Sequence, residues 1–229
     1  MIAIISDIHG NYPALQSVLE EIDEIGCEMI YSLGDIAGYG CMINECISEL
    51  RARNIVNIMG NHDYYLTSNT KCPRSNSANL CLDYQRNVIT QSNMEWLSGS
   101  VNRISVRDIS MVHAGWNDPI DEYLYQVNEE YFRDRFGTIF ISGHTHVQVH
   151  AQMGNKIFCN PGSVGQPRDG DHRAAYVILD GDQINLRRVR YNIDAIADAM
   201  KEAGFDSYIY SNLYAGTKIG GEISEVSIK

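Results

Sequence analysis

The chain has 229 residues, 29 of them acidic and 18 basic, giving a formal charge of -11; its mean field repels long duplex nucleic acid, while metal ions in a cleft would still admit a small phosphorylated substrate. Hydrophobic residues at 44% and charged residues at 21% exclude a disordered chain and supply enough apolar surface for one core. No apolar run approaches the roughly 18 residues of a membrane span, "MIAIIS" at the N-terminus is too short for a signal-peptide core, and the six cysteines form no CxxC, so the expectation is a cytoplasmic protein with free thiols.

In chain order, "MIAIIS" (1–6) reads as a buried strand. Leu15, Val18, Leu19, Ile22 and Ile25 then recur at helical spacing, with Asn11 as N-cap, Pro13 in the first turn and Gly26 as the stop. A strand at 28–33, a helix marked by Met42, Ile43, Cys46, Ile47 and Leu50, and a strand at 54–59 complete a βαβαβ pattern, which implies a parallel sheet with right-handed crossovers. The polar segment 67–79 reads as a surface loop or lid, with Arg74 as a candidate lid residue, and a helical stretch ends near "MEWLSG". Strands follow at 108–113 and 138–142, separated by a helix over 127–136, and His150 continues the strand after "GHTH". The runs 156–159, 174–179 and 184–190 lie close together, with "DGDQ" as a tight turn, and suggest an antiparallel hairpin. A last helix covers 192–203. With no repeat or linker, residues 1–229 are expected to form a single domain.

The apolar strands end in residues that bind metals. Asp7 and His9 follow the first, Asp35 the second, Asn61 the third, His113 the fourth, and His144 and His146 the fifth. In open α/β sheets, ligands gather outside the carboxyl ends of strands, so these segments converge on one rim. Glycines 10, 34, 60, 115 and 143 beside them permit sharp exits and close backbone approach. The i, i+2 spacing of His144 and His146 favours extended backbone, which directs both side chains into one cavity. A lone Asp after a strand is most often a turn or cap residue; the ordered set makes independent turns a poor explanation.

Carboxylate, imidazole and amide oxygen together suit manganese, iron or zinc better than calcium. The set exceeds the three or four ligands of one catalytic ion, and a two-metal centre sharing a carboxylate uses them all. Such a centre serves in-line displacement at phosphorus, with acidified water as the attacking group.

In this order "DIHGN", "GDIAGYG", "GNHD", "HAG" and "SGHTH" resemble the five signature blocks of the calcineurin-like metallophosphoesterases. Together with "NPGSVGQPRDG" (160–170) they are most similar to the small prokaryotic phosphodiesterase-like branch, over Met1 to about Arg190. The resemblance implies an α/β fold, a four-layer α/β/β/α sandwich of two mixed sheets, with the late hairpin in the second sheet. It implies that Asp7, His9 and His146 hold one ion, Asn61, His113 and His144 another, and that Asp35 bridges them. Manganese is the first choice for both divalent ions, with iron, zinc or nickel as alternatives. His62 resembles the family's catalytic histidine, protonating the leaving group with Asp63 tuning it; a further metal ligand or a bystander are the alternatives.

Arg168 is a candidate for phosphate binding, against a rigid Pro/Gly turn, and Asn160, with Gly162 and Ser163, is brought near the site. Tyr39 is expected to pack on the sheet, and His172 to be exposed. The implied function is hydrolysis of phosphomonoesters or phosphodiesters, on a nucleotide or a phosphopeptide, by in-line attack of a hydroxide shared by two ions. The competing expectation is a non-catalytic module that binds metal and nucleotide on the same fold.

Overall fold

The computed structural model describes residues 1–229, and every apolar run expected to be a strand is one. Three of them, β1 (Ile2–Ile5), β2 (Met29–Ser32) and β3 (Val56–Asn57), pair in parallel. The intervening helices are α1 (Tyr12–Ile25) and α2 (Ile43–Ala52). Asn11 caps α1 by accepting the Ala14 N–H at 3.2 Å, Pro13 lies in its first turn, and Gly26 ends it at φ 77°; only the left-handed region closes the helix this way, and glycine enters it without strain.

The second sheet has the order β4 (Ile104–Val106), β5 (Ile109–Val112), β7 (Ile139–Ser142), β9 (Lys156–Pro161), β8 (Gln148–Met153). Here β5, β7 and β9 run parallel and the edge strands are antiparallel. The hairpin of β10 (Ala174–Asp180) and β11 (Gln183–Val189) forms as expected but corrects its placement. It joins the first sheet, β10 pairing antiparallel with β1. The reason is burial: β10 is covered on both faces through Leu179, which suits an interior strand and not an exposed hairpin.

Strand alternation builds the layers. Ile4, Val177 and Leu179 point between the sheets against Met111, Ile141 and Cys159. Ala3, Ile5, Tyr176 and Ile178 point outward onto Leu15, Leu19, Ile47 and Leu50 of the helices. On the far face Val112, Phe140 and Phe158 meet Trp116 and Phe132. The result is the expected four-layer arrangement, two mixed five-stranded sheets flanked by helices.

Elsewhere the boundaries shift. Residues 61–67 form a helix, α3 (Asn61–Thr67), and 76–79 open α4 (Asn76–Val88), so the expected loop shrinks to 68–75 before α5 (Gln91–Ser98). The helix expected over 127–136 reduces to one turn, α6 (Glu129–Phe132), preceded by β6 (Gln126–Val127), which pairs with β12 (Ser227–Ile228). The last helix, α7 (Ile193–Glu202), forms as expected. No helix is long and apolar enough to cross a membrane, and all six cysteines are free thiols.

Ile4 is fully buried between the sheets. Ile4→Ala is expected to lower stability by about 2–5 kcal/mol, because close packing on both sides prevents the cavity from collapsing; denaturant unfolding measures it.

Candidate metal centre

All seven proposed ligands leave the carboxyl ends of β1, β2, β3, β5 and β7 and arrive at one rim shared by the two sheets. Each is at most 3% exposed. Five occupy left-handed backbone: Asp7 (φ 54°), His9 (48°), Asp35 (55°), His144 (66°) and His146 (59°). For residues with a Cβ this conformation costs roughly 1–2 kcal/mol each, and such strain concentrates at functional sites. It also corrects the expectation for His144 and His146, whose backbone is left-handed and not extended; two tight reversals around Thr145 turn the rings into the same cavity. The exits brace one another through Asp7 N–H to Gly34 O (3.0 Å), His9 N–H to Asp35 O (2.9 Å) and Gly165 N–H to Asp7 O (3.0 Å).

Each carboxylate divides its oxygens. Asp7 Oδ2 accepts the Ser6 hydroxyl (2.6 Å) and the His144 N–H (3.0 Å). Its Oδ1 has no hydrogen-bond partner and faces His146 Nε2 at 3.2 Å. Asp35 Oδ1 accepts the His62 N–H at 2.8 Å, and Oδ2 stands 3.8 Å from His9 Nε2 and 3.5 Å from His113 Nε2. Two glycines permit this approach: a Cβ on Gly60 would fall 2.1 Å from Asp35 Oδ1, and one on Gly143 would fall 2.6 Å from Asp7 Oδ2.

The imidazoles are held by their outer nitrogens. His9, His113 and His146 present Nδ1 to the carbonyls of Ala37 (2.6 Å), Leu33 (2.9 Å) and Gln166 (2.7 Å), which assigns the Nδ1–H tautomer and leaves each Nε2 lone pair facing inward. Nε2 of His9 and His146 are 3.1 Å apart, and His113 Nε2 lies 3.2 Å from both Asn61 Oδ1 and His144 Nδ1. Donors each about 2.1 Å from one shared ion stand roughly 3.0–3.4 Å apart, so these spacings fit coordination. Two groups result, Asp7–His9–Asp35–His146 and Asp35–His113–His144, with Asp35 in both.

Burial leads the shifts of Asp35 and of three of the imidazoles. It pushes His9, His144 and His146 below the usual imidazole range, aided by neighbouring imidazoles for His9 and His144 and by Arg168 for His146. Asp35 is held well above the usual carboxylate range by burial first, then by the charges of Asp7 and Asp63. Burial would raise Asp7 also, but His146, His113 and His9 draw it below that range.

His62 lies beside the centre, its ring 5.1 Å from that of His9 and 4.9 Å from that of Tyr39. Its Nδ1 has no partner. Asp63, expected to tune His62, makes no hydrogen bond to that ring: its Oδ1 accepts the Ala37 N–H (2.9 Å) and its Oδ2 those of Asp35 (2.9 Å) and Gly60 (3.2 Å). Asp63 therefore fixes the loop that carries Asp35. Asn160 is corrected likewise, since its amide donates to Gly143 O (2.7 Å) and Thr145 Oγ1 (3.0 Å) and accepts from Gly162 N–H (2.9 Å). It braces the "GHTH" turn with no amide donor left for substrate, and the Ser163 hydroxyl donates to Asp7 O at 2.7 Å. Arg168 is buried over the Tyr39 ring at 5.2 Å, and its guanidinium donates to Gln166 Oε1 (2.7 and 3.3 Å). Tyr39 packs at the edge of the core as expected and also flanks His9 and His62. His172 is exposed.

Sequence reasoning missed Asp121 and Tyr123. Both stand against His144, Asp121 Oδ1 at 3.7 Å from Nε2 and the Tyr123 ring at 3.9 Å between centroids; they come from an aperiodic polar loop that gives no signal of its own.

Comparison with known proteins agrees with this geometry. The calcineurin-like phosphoesterase superfamily domain matches residues 1–183. The protein MJ0912 of Methanocaldococcus jannaschii is 33% identical over 94% of this chain and 98% of its own. Phosphodiesterase YfcE of Escherichia coli is 25% identical over 79% of this chain and 88% of its own. The crystal structure of a metallophosphoesterase from Sphaerobacter thermophilus superposes with a TM-score of 0.83 at 31% identity, covering 94% of this chain and 99% of that one. The chain belongs to the calcineurin-like phosphoesterase superfamily, and its class is that of metal-dependent phosphoester hydrolases.

Burial and the charges of Asp7 and Asp63 favour the protonated form of Asp35, and a cation bound to its carboxylate would favour the ionised form. Metal uptake is expected to release protons, and affinity to rise with pH. Calorimetry in two buffers of different ionisation enthalpy measures this; uptake without proton release contradicts it.

Proposed function

We propose that this protein hydrolyses a small phosphoester, a phosphodiester of nucleotide type in the first instance and a phosphomonoester or phosphopeptide otherwise, with two divalent ions at the rim. The observation that carries the reading is Asp35, the one carboxylate common to both ligand groups. Asp7, His9 and His146 would hold one ion, and Asn61, His113 and His144 the other, with Asp35 between them. The donor set favours manganese, then iron, zinc or nickel. Bound there, the ions would acidify water for attack and neutralise charge on the phosphoryl oxygens.

The remaining chemistry belongs to side chains. The Arg168 guanidinium, which donates Nε and Nη2 to the neutral Gln166 amide oxygen, would fork onto phosphoryl oxygens with its remaining donors. Burial and Arg168 keep His62 below the usual imidazole range; a phosphate anion beside it reverses that balance and favours the imidazolium that protonates the departing oxygen. The likeness to phosphodiesterase YfcE supports the diester.

His62→Ala is expected to lower kcat by roughly 10²–10⁴ while two ions remain bound. Assays on bis(p-nitrophenyl) phosphate and p-nitrophenyl phosphate, paired with elemental analysis, check it. Loss of both ions would make His62 a ligand. A manganese-loaded wild type that binds nucleotides and leaves both esters intact would be a binding module instead.

A further inference from the structure

His144 is oriented differently from the other three imidazoles. It turns Nδ1 inward, 3.2 Å from His113 Nε2, so its outer atom is Nε2. That Nε2 is buried without a hydrogen-bond partner, and so is the atom facing it at 3.7 Å, Asp121 Oδ1. The other oxygen of Asp121 is engaged, accepting from Arg74 Nη1 at 2.7 Å and from the Tyr65 hydroxyl at 3.3 Å. A ring N–H and a carboxylate oxygen complement each other, and an ion at Nδ1 requires the proton on Nε2. The separation exceeds a hydrogen bond, and a ring shift of roughly 0.8 Å closes it.

The segment bearing Asp121 is firmly built. Asp118 Oδ1 receives the N–H groups of Ile120 (3.0 Å) and Asp121 (3.3 Å). The Glu122 carboxylate receives the Asn117 N–H (2.9 Å) and the Tyr131 hydroxyl (2.6 Å). Tyr123 of the same segment lies against the His144 ring, so one segment grips His144 by face and by edge.

We propose that Asp121 is a positioning residue for His144: its carboxylate accepts a hydrogen bond from Nε2–H and so fixes the tautomer that offers Nδ1 to an ion. The proposal rests on the two-ion reading above.

The test titrates Mn²⁺ into metal-free wild type, Asp121→Ala, Asp121→Asn and Arg74→Ala. Calorimetry gives affinity and stoichiometry, and electron paramagnetic resonance distinguishes a coupled ion pair from an isolated ion. Wild type is expected to bind two coupled ions. Asp121→Ala is expected to keep the ion at Asp7, His9 and His146 and to bind the second roughly 10–100-fold more weakly, while Arg74→Ala stays within about threefold of wild type. Asp121→Asn, which retains an acceptor oxygen, is expected to recover part of the loss. Two ions at wild-type affinity in Asp121→Ala overturn the proposal, as does an equal loss in Arg74→Ala, which would assign the effect to loop tethering. An equal loss at both sites with a lowered melting temperature of the metal-free variant also overturns it, as general destabilisation. Fewer than two ions in wild type overturns the two-ion reading instead.

Discussion

Two carboxylates and four imidazoles stand within hydrogen-bonding or near-contact distance of one another with almost no access to water, and that proximity is the constraint on which the rest of the structure depends. Taking ionisable groups out of water is expensive unless charge and hydrogen bonds compensate. Here the compensation is one-sided. The outer atoms of nearly every ligand are satisfied by backbone amides and carbonyls, whereas the inner atoms face only one another. Cations bound at the centre would supply what is missing, consistent with the metal dependence of the family, and would make metal binding part of the stability of the fold.

The same constraint explains the backbone. A strand that ran on past the rim would carry its side chains away to alternate faces. Reversing the chain immediately after β1, β2 and β7 returns Asp7, Asp35, His144 and His146 to the rim, at the expense of left-handed dihedrals. The strain is held by the cross-links between exits, Asp7 to Gly34 and Gly165 to Asp7, and by Asp63, whose carboxylate ties the loop after β2 to the start of α3. Buried polar residues that look like chemistry, Asn160 and Asp63 among them, are in fact the scaffold that keeps the chemistry in place.

Much of this was legible in the sequence because two periodicities are unambiguous. Alternating short apolar strands with helical spacing gave the first sheet, and a polar residue capable of binding metal at each strand's end gave the rim. What was hidden lies where the physical cause is tertiary. The hairpin of β10 and β11 joins the first sheet because β10 can bury both faces there, a fact about partners and not about its own composition. The helix that carries Asn61, His62 and Asp63 gives no periodic signal because α3 is only seven residues long. Asp121 is separated from His144 by 23 positions in an aperiodic loop, and only the orphaned Nε2 of His144 reveals it.

The central claim is that Asp35 stands between two cations. Crystals grown with manganese and measured at its absorption edge locate the ions directly by anomalous scattering. Two peaks about 3.5–4 Å apart, on either side of the Asp35 carboxylate, are the expected result. A single peak, or peaks that leave Asp35 uncoordinated, would contradict the account.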